Sequence, residues 1–292
     1  MAKTGTHGTG GDPLLYGVDW NEVWKERMRL HQSSEHFADS CHVWKKEENA
    51  KRYDTISRRD YGRRVSQTLA GLEITPDSRV LDIGSGPGTL AIPLSGRVTG
   101  VTAAEPAPGM VKVLASNIRN EGIDNIKIVQ KAWEDIDTKS DLADTYDIII
   151  ASLSLGMPDL RDAVRKMEEV CSGTVNLYWF VDMPFWEKLY SLTWPELHGS
   201  SYHPGPKVDC LFMVLYQMGI YPNVEMMTLD KEYRFSGPDE MYNHFRSRFG
   251  VTEDRGEKIM RRYLSTLVKK EDGDLVLSGN SVYAKVWWRC MH

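Results

Sequence analysis

Apolar side chains between residues 19 and 72 recur at helical spacing. Trp20, Val23, Trp24 and Met28, with Arg27 among them, share one side of a predicted helix that Asp19 is placed to cap. Two more helical stretches are predicted around Glu35–Lys51 and Arg58–Leu72. The pattern then changes. Val80–Asp82 is a short apolar strand running into Gly84-Ser85-Gly86-Pro87-Gly88, and Thr89–Leu94 starts a helix. Val98–Ala104 is a second strand, and Met110–Glu121 a helix with Val111, Leu114, Ala115 and Ile118 on one face. Ile126–Val129 and Tyr146–Ser152 follow as strands, the latter continuously apolar as a strand buried on both faces should be. Leu160–Cys171 reads as helix and Thr174–Val181 as a fifth strand. Strands alternating with helices predict parallel βαβ units with right-handed crossovers.

After Met183 the alternation stops. Phe185–Leu197 and Val208–Met218 read as helices flanking a Pro/Gly loop, Tyr202–Lys207. Val224–Phe235 looks extended, Pro238–Phe249 and Glu253–Lys269 helical, and Ser281–Arg289 a last strand. The expected fold is α/β: a doubly wound, mostly parallel, seven-stranded sheet with N-terminal helices and a helical insertion after the fifth strand. The expected organisation is a loose tail over residues 1–13, a helical cap over 14–72, and one ligand-binding domain over 73–292. The insertion, about 183–221, lies over the carboxyl edge of the sheet.

Composition narrows the chemistry. The 292 residues are 41% hydrophobic and 26% charged, ordinary for a soluble globular protein. A net charge of −5 gives no global attraction to phosphate backbones. Cys41, Cys171, Cys210 and Cys290 are too few and scattered for a disulfide framework or zinc knuckle, and suit a reducing, cytoplasmic setting. No apolar run nears the roughly 20 residues that span a bilayer. His31, His36 and His42, five and six apart, do not share a helical face, so no metal site is expected. The basic pairs Arg58-Arg59, Arg63-Arg64, Arg261-Arg262 and Lys269-Lys270 read as solvated helix faces, since Glu47, Glu48, Asp54 and Asp60 interleave with the first two.

The informative stretch is Val80-Leu81-Asp82-Ile83-Gly84-Ser85-Gly86-Pro87-Gly88-Thr89. Open parallel sheets bind ligands outside the carboxyl ends of their strands, where strand order reverses. A nicotinamide loop has glycines at its first, third and sixth positions. Here they fall at the first, third and fifth, two residues after an acid. That acid repels pyrophosphate but suits an ammonium. S-adenosylmethionine (AdoMet) offers an amino-acid tail, a sulfonium and no phosphate. Glu105, 17 residues after Gly88 at the end of the second strand, is placed to accept from ribose hydroxyls.

With these features, the region from about Arg79 to Val181 resembles the class I AdoMet-dependent methyltransferases, nearest the ubiquinone/menaquinone methyltransferase-like group. The resemblance implies that Asp82, Gly84, Ser85, Gly86 and Gly88 surround the methionine part of AdoMet, and that Glu105 and Pro106 lie at the ribose. It implies Met110 against adenine, with Ala132, Trp133 and Glu134 flanking that ring. Many relatives carry an acid where Ala132 stands, so Glu134 or Asp135 is the expected substitute. Ser152, in Ala151-Ser152-Leu153-Ser154-Leu155-Gly156, falls beside the methyl-bearing sulfur. Trp44, Ala50, Tyr53 and Asp54 fit the pattern of a cap helix whose tyrosine closes over the cofactor.

No Asn/Asp-Pro-Pro-aromatic signature, Pro-Cys nucleophile or loop cysteine follows the fourth strand. This argues against nucleobase or glutamine N-methylation, cytosine C5-methylation and arsenite methylation. The aromatic and methionine content of the cap and insertion (Trp186, Trp194, Phe212 and Met213 among others) points to a small-molecule acceptor, with Trp44 and His203 as candidate contacts. RNA or protein methylation, or AdoMet binding without catalysis, are the alternatives. No catalytic residue is assigned.

Overall fold

The computed structural model describes residues 17–33, 44–60, 62–142, 145–246 and 248–290. The expected tail, the start of the second predicted helix, Cys41, His36 and His42 lie outside them. So do the side chains of Arg59 and Asp60.

Five strands, β1 (Arg79–Ile83), β2 (Gly100–Ala104), β3 (Ile126–Val129), β4 (Tyr146–Ser152) and β5 (Cys171–Phe180), form the parallel part of the sheet. β6 (Asn223–Phe235) and β8 (Asp274–Arg289) complete it, in the order β3-β2-β1-β4-β5-β8-β6, with β8 antiparallel to both neighbours. The seven expected strands are present. An eighth, β7 (Lys269–Glu271), pairs only with β8. Strand order reverses between β1 and β4, so the Gly-rich loop after β1 sits at the switch point.

The helices are α1 (Trp20–Gln32), α2 (Glu47–Asp60), α3 (Gly62–Ala70), α4 (Ala91–Ser95), α5 (Pro108–Glu121), α6 (Leu160–Val170), α7 (Phe185–Ser191), α8 (Trp194–His198), α9 (Val208–Gln217), α10 (Pro238–Arg246) and α11 (Asp254–Leu267). On one sheet face, Leu81, Ile149, Leu177 and Val286 pack with Trp24 of α1, Val164 of α6 and Leu211 of α9. On the other, Val80, Ile150, Tyr178 and Tyr283 pack with Leu69 of α3, Leu94 of α4 and Leu114 of α5.

A third core stands beyond the sheet. Phe180, the last residue of β5, pairs with Tyr283, so the earlier half of β8 overshoots β5 and pairs with β6. Tyr233 and Phe235 of that extension join Tyr190 of α7, Trp194 of α8, Phe245 of α10 and Leu264 of α11.

Local differences from the sequence reading have packing causes. The expected break between Lys51 and Arg58 is helical, because Ala50, Tyr53 and Ser57 form one stripe toward the protein, the first two of them beside Ala107 and Met110 of α5. The single helix expected over Phe185–Leu197 is two, α8 restarting with Pro195 in its first turn. β8 begins seven residues early because β6 pairs with it throughout.

The cap segments are fastened by specific contacts. Asp19 accepts from the amides of Asn21 and Glu22, and Asn21 links to Arg161 N (2.9 Å) and Asp159 (3.0 Å) at the start of α6. The buried Trp24 donates its indole N–H to the Met157 carbonyl at 2.9 Å. At the start of α5, a Cβ on Gly109 would stand 2.4 Å from the Trp44 carbonyl oxygen and 2.9 Å from the Lys46 carbonyl carbon. Gly109→Ala is therefore expected to push residues 44–47 off α5 at a cost of about 1–3 kcal/mol. Amide hydrogen exchange should quicken over residues 47–60 and not in β1 or β4. Gly96→Ala, with open space around its Cβ, should leave exchange unchanged.

Candidate functional site

The carboxyl ends of β1 and β2 carry two buried acids. Asp82 is 2% and Glu105 7% exposed. Glu105 uses both oxygens to hold backbone, accepting from Gly86 N at 2.9 Å and Ala107 N at 2.8 Å. One carboxylate thereby fixes the middle of the Gly-rich loop and the entry to α5. Asp82 accepts from the Ala91 amide, but its Oδ2 has no hydrogen-bond partner. Burial, reinforced by the charge of Glu105, pushes the Asp82 carboxyl up to about 7, against the opposing pull of Arg64. Burial also raises Glu105, offset by its two amide donors.

The glycines differ in what requires them. Gly84 has φ +70°, and a Cβ on it would lie 2.3 Å from the Ser154 Cβ; Ser154 also donates to the Ile83 carbonyl at 2.6 Å. Gly84 is small so that the loop after β4 can lie against it. Gly88 faces Ile92 and Leu114 at 2.7 Å, a packing requirement. Gly86 alone of the three, at φ +57°, points its missing Cβ into open space. The Ser85 and Thr89 hydroxyls are buried and unpartnered beside it in sequence.

The structure brings most of the expected residues together. Met110 is buried with Ala107 and Val113, and Tyr53 and Trp44 pack on that group with their rings 5.2 Å apart. Asn117 of α5 joins Asp54 (3.3 Å) to the Pro87 carbonyl (3.0 Å), tying α2 to the Gly-rich loop. Pro106 and Ala132 are half-buried, and Glu134 is exposed. Ser152, at the tip of β4, accepts from Arg64 Nη1 at 2.9 Å.

Three readings change. Trp133 is a core residue: 3% exposed, it donates its indole N–H to Ala163 O at 3.0 Å and lies under Lys166, facing α6 rather than the crevice. Trp44 sits with Met110, on the side expected for adenine, not with an acceptor pocket. His203 lines a cavity of about 360 Å³ with Arg27, Leu30, Pro204, Gly205 and Lys207, and none of Asp82, Glu105 or Ser152 borders it. Its carbonyl takes the Nδ1–H of His31 at 3.0 Å.

Arg64 was hidden by its neighbour. Arg63 is exposed, but Arg64 is 6% exposed and shares a helix face with buried Thr68. The i, i+4 spacing to Thr68, with Leu69 next to it, was the available signal. Three others of these basic residues form surface ion pairs: Arg58 with Asp54 and Glu121 (both 3.1 Å), Arg261 with Asp239 (3.1 Å), Arg262 with Glu196 (2.8 Å). Among the described residues no three potential metal ligands cluster, and no helix is long and apolar enough to cross a membrane.

The mainly parallel sheet, with its Gly-rich loop and two strand-end acids at the switch point, has the Rossmann-like methyltransferase fold, and residues 80–173 match the methyltransferase domain family. Over residues 80–173 the chain thus carries a methyltransferase domain, for which AdoMet is the cofactor implied. It is similar to an uncharacterized protein of Haemophilus influenzae, 24% identical over 228 residues, covering 76% of this chain and 80% of that one. It is also similar to the 23S rRNA (uracil(1939)-C(5))-methyltransferase RlmD of Edwardsiella ictaluri, 33% identical over 105 residues. That likeness spans 35% of this chain and 24% of RlmD. Solved structures sharing the fold include one from Bacillus halodurans C-125 (18% identity, TM-score 0.55, 79% of this chain and all of that one). Another is YcgJ of Bacillus subtilis (18%, 0.50, 76% and 97%). These likenesses reach the class and not the ubiquinone/menaquinone-like subgroup.

The buried acid has a measurable signature. With a folded pKa near 7 against an ordinary 3.8, Asp82 keeps its proton in the folded chain while the unfolded chain loses it. Between about pH 4 and 7 this group therefore subtracts stability as pH rises. Asp82→Asn should remove that contribution, so urea unfolding at pH 5 and pH 8 should show the variant gaining on the parent at the higher pH. Equal pH dependence in both proteins would count against the burial argument.

Proposed function

We propose that AdoMet lies across the ends of β1 and β2, and that the acceptor is a small, largely apolar molecule reached at the tip of β4. Asp82 is the partner for the ammonium: a buried carboxylate with a vacant oxygen is costly alone and becomes stable beside a cation. Gly84, Ser85 and Gly88 shape the loop, and the open side of Gly86 leaves room for the ligand. Glu105 and Pro106 border the ribose; Met110, Tyr53 and the Ala132–Glu134 backbone border adenine. When bound, AdoMet supplies an electrophilic methyl group on a sulfonium. The protein's part is alignment, worth up to roughly 7–11 kcal/mol in well-oriented reactions.

The observation that carries the choice of acceptor is one apolar cluster. Tyr53 of the cap, Leu153 of the loop after β4, Phe180 at the end of β5 and Trp186 of α7 all pack into it, the last two with rings 5.4 Å apart. Cap, loop and insertion thus all contribute to the apolar face of the sheet that carries Ser152. An extended basic groove, which a polymeric RNA would need, finds no support in the ion-paired arginines.

Glu105→Ala is expected to weaken binding of S-adenosylhomocysteine, the demethylated cofactor, by about 1–3 kcal/mol, roughly 5- to 150-fold. Gly86→Val should abolish binding in a chain that still unfolds cooperatively; calorimetry reads both, and unchanged affinity in either removes that residue from the site. For the acceptor, protein incubated with methyl-labelled AdoMet and fractionated cell extract should place label in solvent-extractable small molecules. Label appearing instead in RNA or protein would overturn the small-molecule reading.

A further inference from the structure

The sheet face that carries Asp82 also carries an unexplained polar group. Asp82 is level with Ile150, two residues before Ser152; Ser152 is level with Tyr178, and Tyr283 with Phe180. Tyr178 and Tyr283 are both 0% exposed, and neither hydroxyl has a hydrogen-bond partner. Two phenol hydroxyls left bare inside one core are rare, because a buried polar group without a partner opposes folding. Arg64, descending from α3 onto the same face, is bonded to Ser152 and acts electrostatically on both phenols and on Asp82. The remaining charged groups facing the phenols are Glu225, level with Lys285 on the neighbouring strand, and Lys285 itself, which donates to the Gly71 carbonyl. The same core holds the apolar side chains of Phe180, Leu229 and Trp186.

We propose that Tyr178, Tyr283 and Arg64 seat a carboxylate of the methyl acceptor, and that the acceptor is a small monocarboxylic acid with an apolar body. Two hydroxyl donors and one guanidinium match the two oxygens and single charge of a carboxylate. The nearby Glu225 disfavours a dianion such as a phosphate monoester. A carboxylate arriving beside Ser152 takes the guanidinium hydrogen bond in place of the serine hydroxyl and brings acceptor oxygens to the phenols. This assignment rests on the reading that AdoMet occupies the Asp82–Glu105 crevice, which places Ser152 next to the methyl group.

The test uses full-length protein saturated with S-adenosylhomocysteine and titrated with benzoate and hexanoate, each against its neutral amide, by calorimetry and thermal melting. The acids should bind and raise Tm, and the amides should not. In the Tyr178→Phe/Tyr283→Phe double variant, acid binding should weaken at least about tenfold. S-adenosylhomocysteine affinity should stay the same and the ligand-free Tm should be equal or higher, since a bare hydroxyl is removed. Acids that fail to bind, amides that bind equally well, or a double variant that keeps acid binding would each overturn the proposal. So would a loss of S-adenosylhomocysteine affinity in the variant, which assigns the hydroxyls to the cofactor, or a lower ligand-free Tm, which makes them structural. Failure of the parent protein to bind S-adenosylhomocysteine removes the cofactor reading itself, and this proposal with it.

Discussion

Burial of two carboxylates at the ends of neighbouring strands governs everything else in this molecule. Glu105 is compensated internally by two backbone amides, so its charge is used to build the loop. Asp82 has no equivalent compensation at Oδ2, and its proton affinity rises accordingly. Both Glu105 oxygens hold backbone, while one Asp82 oxygen has no hydrogen-bond partner. That asymmetry suits the positively charged, phosphate-free nucleoside proposed above, and is the opposite of what a pyrophosphate would tolerate.

Three further parts of the chain build on that end of the sheet. α2 is drawn down on α5 by Ala50 and Tyr53 and is tied to the Gly-rich loop through Asn117. α3 brings a guanidinium to the tip of β4. The overshooting halves of β6 and β8, with α7, α8, α10 and α11, make a separate aromatic core beyond the sheet edge. Each contact places side chains from distant parts of the sequence around a few ångströms of strand terminus, which is how a common α/β scaffold acquires a particular site.

Much of this was legible in the sequence because it obeys short periods. The parallel strands are short and mainly apolar, and the Gly-rich loop is local, so the fold and the position of that loop could be read directly. What resisted reading depends on tertiary contact. Arg64 looks like Arg63 until α3 is laid on the sheet and one of the pair turns inward. Trp133, in a segment expected to flank adenine, is claimed by the core because the Ala163 carbonyl gives its indole N–H a partner. Tyr178 and Tyr283 sit in strands where any large apolar residue would serve, and nothing local shows that their hydroxyls go unpaired. The α2 boundaries escape sequence reading because this mostly polar helix carries few apolar inward residues, Ala50 and Tyr53 among them.

The contact between Gly84 and Ser154 has a mechanical consequence. With 2.3 Å between the Ser154 Cβ and the space a side chain at Gly84 would fill, and with Ser154 also bonded to Ile83, no slack separates the two loops. The loop after β1 and the loop after β4 are a single stiff block. With cofactor and acceptor placed on its two sides as proposed, any effect of one on the other's affinity is equal in both directions, as reciprocity between coupled binding equilibria demands.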